Sequence, residues 1–99
     1  MQKRGRTDGN HTAVARALIN AGCTVQSLAA LGDGVPDLLV GIDGRNLLVE
    51  VKNGAKPPSH RRLTPDEATW HQQWRGQVAV VASVDEALAV VIAGKASEK

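Results

Sequence analysis

The stretch Asp37-Leu38-Leu39-Val40-Gly41-Ile42-Asp43-Gly44-Arg45-Asn46-Leu47-Leu48-Val49-Glu50-Val51-Lys52 decides the fold. Two apolar, strand-forming runs flank Asp43-Gly44, and Asp-Gly in that setting marks a two-residue hairpin turn, whose residues both need positive φ. Counting back pair by pair from Ile42 opposite Arg45 sets Asp37 across from Glu50. Side chains directly opposite share a face, with Cβ atoms about 5 Å apart. Lys52, two residues past Glu50, points the same way about 7 Å further along. The other face reads Leu38, Val40 and Ile42 against Leu47, Val49 and Val51, wholly apolar, so it calls for covering helices. A three-residue turn without a bulge would part Asp37 and Glu50 onto opposite faces.

Working outward, Asn10 to Ala21 carries Val14, Ala17, Leu18 and Ala21 at helical spacing, with Gly22 as its stop. Thr24 to Leu28 reads as a short strand before the Gly32-Asp33-Gly34 turn. Asn53 to Leu63 holds Gly54, Pro57 and Pro58 and reads as a loop. Thr64-Pro65-Asp66-Glu67 is a capping box with proline at the first helical position, opening a helix to about Arg75. Gln77 to Ala82 reads as a buried strand, and Ser83-Val84-Asp85-Glu86 caps a last helix ending near Gly94. The order predicts an α/β domain with a mixed sheet flanked by helices.

The chain of 99 residues suits one domain, 1–99, with a basic flexible N-terminus over 1–9 and a flexible tail over 95–99. It has no Phe or Tyr and two Trp, so its core is aliphatic. A thin core on a short chain favours self-association, and a homodimer is expected. Cys23 stands alone, which excludes an internal disulfide and a thiolate metal cluster. No leader or membrane-spanning run is evident, which reads as a cytoplasmic protein. The net charge of +2 says little, but its placement says more. Lys3, Arg4 and Arg6 stand without an acid in residues 1–7, and Lys52, Lys56, Arg61 and Arg62 without one in residues 51–62. Both segments suit a polyphosphate partner, and solvated tails and loops account for them equally well.

Two facing carboxylates near a core raise each other's pKa, and a hard divalent cation relieves the repulsion. Mg²⁺ takes one or two carboxylates, with waters and substrate phosphate oxygens completing the shell. Lys52 beside it could position a water or offset charge developing on a phosphate. From spacing alone, a structural salt bridge from Lys52 to Glu50 or Asp37, with no metal, fits equally.

The string Gly34-Val35-Pro36-Asp37-Leu38-Leu39-Val40 followed by Glu50-Val51-Lys52 resembles the PD-(D/E)XK nuclease superfamily. Gly34 to Trp74, with its basic Pro-Pro loop, Leu63-Thr64-Pro65 and Trp70-His71, looks like the small stand-alone VRR-NUC nucleases, many of them from phages. The resemblance implies a restriction-endonuclease-like αβββαβ(α) core and a Mg²⁺-dependent DNA endonuclease, with Mn²⁺ as substitute, acting inside a bacterial or phage-infected cell. It implies Asp37, Glu50 and the Val51 carbonyl as metal ligands and Lys52 as the catalytic lysine. Many relatives carry a metal-facing glutamate on the first helix, and the corresponding place here is Ala13. A glutamate at that position would be expected to tighten Mg²⁺ binding. A junction or nick is a possible substrate shape, and a nucleic-acid-binding module with a weakened site is the alternative.

For nucleic-acid contact, Lys56, Arg61 and Arg62 lead, since they leave the Glu50–Lys52 strand, with Lys3, Arg4 and Arg6 beside them. Trp70 and Trp74 share a helix stripe and are expected to pack on the sheet. His71 reads as a solvated helix-face residue, His11 as a marginal site candidate, Gln26 equally as a residue of the active face or of an exposed edge, and Gln77 as a cap.

Overall fold

Asp43 and Gly44 adopt φ of 52° and 77°, the left-handed values that a two-residue hairpin turn requires. The computed structural model describes residues 9–96. Its elements are α1 (Gly9–Asn20), β1 (Thr24–Ser27), β2 (Leu38–Ile42), β3 (Arg45–Val51), α2 (Pro65–Gln73), β4 (Val78–Val81) and α3 (Val84–Ala96). Short 3₁₀ turns lie at Ala29–Leu31 and Pro58–His60. The expected flexible stretches fall largely outside the described residues, as do Lys3, Arg4 and Arg6. Gly9, Lys95 and Ala96 are helical: α1 lies one residue earlier than the expected Asn10 to Ala21, and α3 runs two residues past the expected Gly94.

The sheet order is β1-β2-β3-β4, with the first three strands antiparallel and β4 parallel to β3. This is the expected α/β domain with a mixed sheet. The hairpin register holds: Ile42 pairs with Arg45 and Leu38 with Val49. Leu38, Val40, Leu47, Val49 and Val51 are buried together with Val14 and Leu18 of α1, Val81 of β4, and Ala87 and Val91 of α3. Ile42 packs at the rim of this core. Cys23 is buried there too, and burial followed by the nearby Asp43 charge pushes its thiol up, which disfavours the thiolate.

The capping boxes hold α2 and α3 in different ways. Glu67 N–H donates to Thr64 Oγ1 at 3.3 Å, and Thr64 N–H donates to Glu67 Oε1 at 2.8 Å. At α3, Glu86 N–H donates to Ser83 Oγ at 3.0 Å, but the Glu86 carboxylate accepts from Ala82 N–H, one residue further back than expected. α2 ends at Gln73, with Trp74 as its cap, two residues before the expected stop. α3 runs through Gly94, since one glycine weakens a helix interior by only about 1 kcal/mol and does not end it.

β4 departs from the buried strand expected. Val80 pairs with Glu50 on the face away from α1 and α3 and is 46% exposed. α2 buries none of its side chains fully, so it shields that face only in part. Trp70 and Trp74 stack on each other, with centroids 4.7 Å apart, and Trp74 borders an apolar hollow with Leu39 and Leu48. Gln77 does more than cap: its Nε2 donates to Asn46 O at 2.7 Å, tying the start of β4 to the hairpin. Gln26 is exposed on the edge strand β1, the second of its two expected placements.

Asn10 joins α1 to the ends of two strands. Its Nδ2 donates to Lys52 O at 2.6 Å and to Ala82 O at 3.1 Å. Asn10→Ala removes the donor from both carbonyls and is expected to cost about 1–3 kcal/mol in urea unfolding. A loss within about 0.5 kcal/mol, as for an ordinary surface change, would show that water replaces it freely.

Candidate active site

The hairpin carries its polar residues just beyond the last ladder pair, at the end of β3. Asp37 immediately precedes β2, and its Oδ2 accepts the Val51 N–H at 2.8 Å. Its backbone carbonyl accepts from Leu28 N–H at 2.7 Å, so Asp37 is fixed from both neighbouring strands. Pro36 before it is buried, which leaves the segment little freedom.

Glu50 is 3% exposed, and its Oε1 is buried without a hydrogen-bond partner. Burial comes first among the forces on its carboxyl, then the Asp37 and Glu67 charges, and together they push it up to about 9 although Lys52 opposes them. With no cation present, these forces favour the protonated form of Glu50. Its Oε2 lies 3.6 Å from Lys52 Nζ.

Lys52 reaches past Glu50 to a third carboxylate: its Nζ donates to Glu67 Oε1 at 2.6 Å. Burial pulls the Lys52 ammonium down, but the hydrogen bond and charge of Glu67, then Glu50, more than offset it, and it stands above an ordinary lysine. On Glu67, burial acts upward, and hydrogen bonds from Lys52 and the Thr64 N–H outweigh it, leaving the carboxyl below its usual range.

Asp37, Glu50 and Lys52 thus come together on one face, as the register requires. Among the described residues no group of three or more His, Cys, Asp or Glu side chains is disposed to hold a metal. The donors nevertheless fit a hard divalent cation. Two carboxylates are as many as Mg²⁺ commonly takes from a protein, and the buried Glu50 Oε1 is without a hydrogen-bond partner although Lys52 lies near the other oxygen.

The remaining candidates divide. Lys56 and Arg62 are exposed on the loop that leaves Lys52. Arg61 is half-buried, and its Nε donates to Lys56 O at 2.8 Å, so one of the three arginine and lysine side chains shapes the loop it was expected to leave free for phosphate. Ala13 is exposed beside Thr12, Arg16, Ala17 and Asn20, and the α1 side chain that meets the end of β3 is Asn10. Asn10, three residues before the expected Ala13, is thus the first-helix side chain bonded to the Lys52 carbonyl. His71 is not simply solvated: its Nε2 is buried without a partner, and its ring meets Trp70 edge-on at 5.8 Å. His11 is half-buried beside Arg16 and Ile19.

Glu67 is the residue that sequence reading passed over, because its role in the capping box already accounted for it. A carboxylate three residues after a helix cap gives no hint that a strand lysine will share it. No helix among the described residues is long and apolar enough to cross a membrane. Comparison with protein-family models, curated proteins and solved structures finds no match to this chain.

Proposed function

We propose that this chain is a Mg²⁺-dependent endonuclease that hydrolyses DNA phosphodiester bonds, acting inside the cell. The observation that carries the reading is the buried, partnerless Glu50 Oε1 beside the Asp37 carboxylate, with Lys52 alongside. Asp37, Glu50 and the Val51 carbonyl would hold the ion, as the resemblance to the PD-(D/E)XK nucleases implies. Bound there, Mg²⁺ would polarise the scissile phosphate and lower the pKa of a water. Lys52 orients that water or offsets charge building on the phosphate oxygens. The exposed Lys56 and Arg62, with Arg61 bracing the loop, carry the DNA backbone toward Glu50. A symmetric dimer would let two such sites address two strands.

The test is cleavage of linear, nicked and four-way-junction DNA by purified protein with Mg²⁺ or Mn²⁺. Cation-dependent cleavage supports the reading. Salt-dependent DNA binding with no cleavage would favour a binding module instead, and neither activity would remove both. Reversing Lys56, Arg61 and Arg62 to glutamate is expected to weaken DNA binding. It should also flatten the salt dependence, by about 0.9 logarithmic units for each phosphate that is no longer neutralised. Unchanged affinity and slope in a mobility-shift titration would mean that the loop does not line the groove.

A further inference from the structure

Lys52 has a choice of carboxylates and has taken the more distant one along the chain. Its Nζ sits 2.6 Å from Glu67 Oε1 and 3.6 Å from Glu50 Oε2. Glu67 is not a loose surface acid. The same Oε1 accepts the Thr64 N–H, its own N–H is bound by Thr64 Oγ1, and its side chain is 19% exposed. The backbone before it is also confined, because Gly34 approaches the Asp66 carbonyl too closely for any Cβ.

We propose that Glu67 is a positioning residue of the site, one that draws the Lys52 ammonium off the Asp37–Glu50 pair and leaves those carboxylates open to a divalent cation. The proposal rests on the nuclease reading for the identity of that cation. An ammonium and a metal ion compete for the same oxygens, and Glu50 is the nearest alternative acceptor for Lys52. Glu67 also balances the site. Asp37, Glu50 and Glu67 against Lys52 leave two negative charges when all are ionised, those of one divalent ion. Without Glu67 the lysine and the metal would face each other with one carboxylate fewer between them.

Thr64→Ala supplies the control for helix stability. It loses the hydroxyl acceptor of the box but keeps the Thr64 N–H that orients Glu67. Glu67→Ala is expected to weaken Mg²⁺ binding by calorimetry about 10- to 100-fold, the range for loss of a group that orients metal ligands. The kcat for DNA cleavage should fall with it, while KM for DNA stays within about twofold because backbone contacts are untouched. Glu67→Gln keeps an oxygen acceptor for both Lys52 and the Thr64 N–H but loses the charge, so it should recover only part of the affinity. Thr64→Ala should lower Tm yet bind Mg²⁺ as the wild type does. Glu67→Ala binding Mg²⁺ at wild-type strength, or Thr64→Ala losing as much affinity as Glu67→Ala, overturns the proposal while the nuclease reading stands. A wild-type protein that binds no Mg²⁺ overturns both.

Discussion

Glu50→Gln is expected to abolish cation-dependent DNA cleavage, by roughly 10³-fold or more, while making the metal-free protein more stable at pH 8. The loss follows from removing a charged ligand whose ion supplies several kcal/mol of charge stabilisation, each 1.36 kcal/mol being about tenfold in rate. The gain in stability follows from burial. Glu50 has a folded pKa near 9 against an ordinary 4.5, raised by burial first and then by Asp37 and Glu67. A group raised on folding favours the folded state fully below its ordinary pKa, and that contribution is lost as pH climbs through the folded value. Metal-free wild type should therefore lose stability between about pH 5 and 9 on account of this residue. Glutamine has the shape of the protonated acid and no charge to bury, so the variant's Tm should change less across the same window. The two effects separate in one experiment. In chelator at pH 8 the variant should melt higher, and on adding Mg²⁺ only the wild type should gain Tm through ligand linkage. Binding should also release a proton below pH 9, so that Mg²⁺ affinity rises with pH toward that value. Parallel Tm profiles for the two proteins from pH 5 to 9 would mean that Glu50 is ionised before the metal arrives.

Gly34→Ala is expected to damage fold and site together. Gly34 has φ 81°, where an alanine costs about 1–2 kcal/mol, and its new methyl would overlap the Asp66 carbonyl at the start of α2. Backbone cannot yield as a side-chain tip does, so α2 must shift. A total loss of at least about 2 kcal/mol in denaturant unfolding is expected from strain and clash combined. The shift carries Glu67, the residue after Asp66, away from Lys52. Cleavage should therefore fall further than the unfolded fraction explains. Gly32→Ala is the matching control, because φ there is 67° but a Cβ meets nothing within 4 Å. It should show the conformational penalty with cleavage retained. Equal losses in both variants would mean that the close approach to α2 does not set the site.

Much of the site was legible because its geometry is local. The Asp43-Gly44 turn fixes the register, and strand alternation then assigns every hairpin residue to a face. That reasoning brought Asp37, Glu50 and Lys52 together within sixteen consecutive residues. Where local signals compete, it slipped: Trp74 leaves the helix before Arg75, and Val80 of the supposedly buried β4 stands open on the site face. The exposure of Val80 follows from how little of that face α2 covers, which no strand pattern reveals.

By itself, then, the sequence determined the hairpin, its apolar face, the capped helix starts and the meeting of two carboxylates with a lysine. Each depends on contacts between neighbours in the chain or across one tight turn, where backbone geometry leaves few alternatives. Tertiary structure alone decided that Lys52 pairs with Glu67 across an irregular loop, that Asn10 rather than Ala13 meets the end of β3, and that Glu50 is left only 3% exposed. Those outcomes depend on where whole helices dock, which is set by packing at Gly34 and at the strand ends and leaves no periodic mark in the sequence.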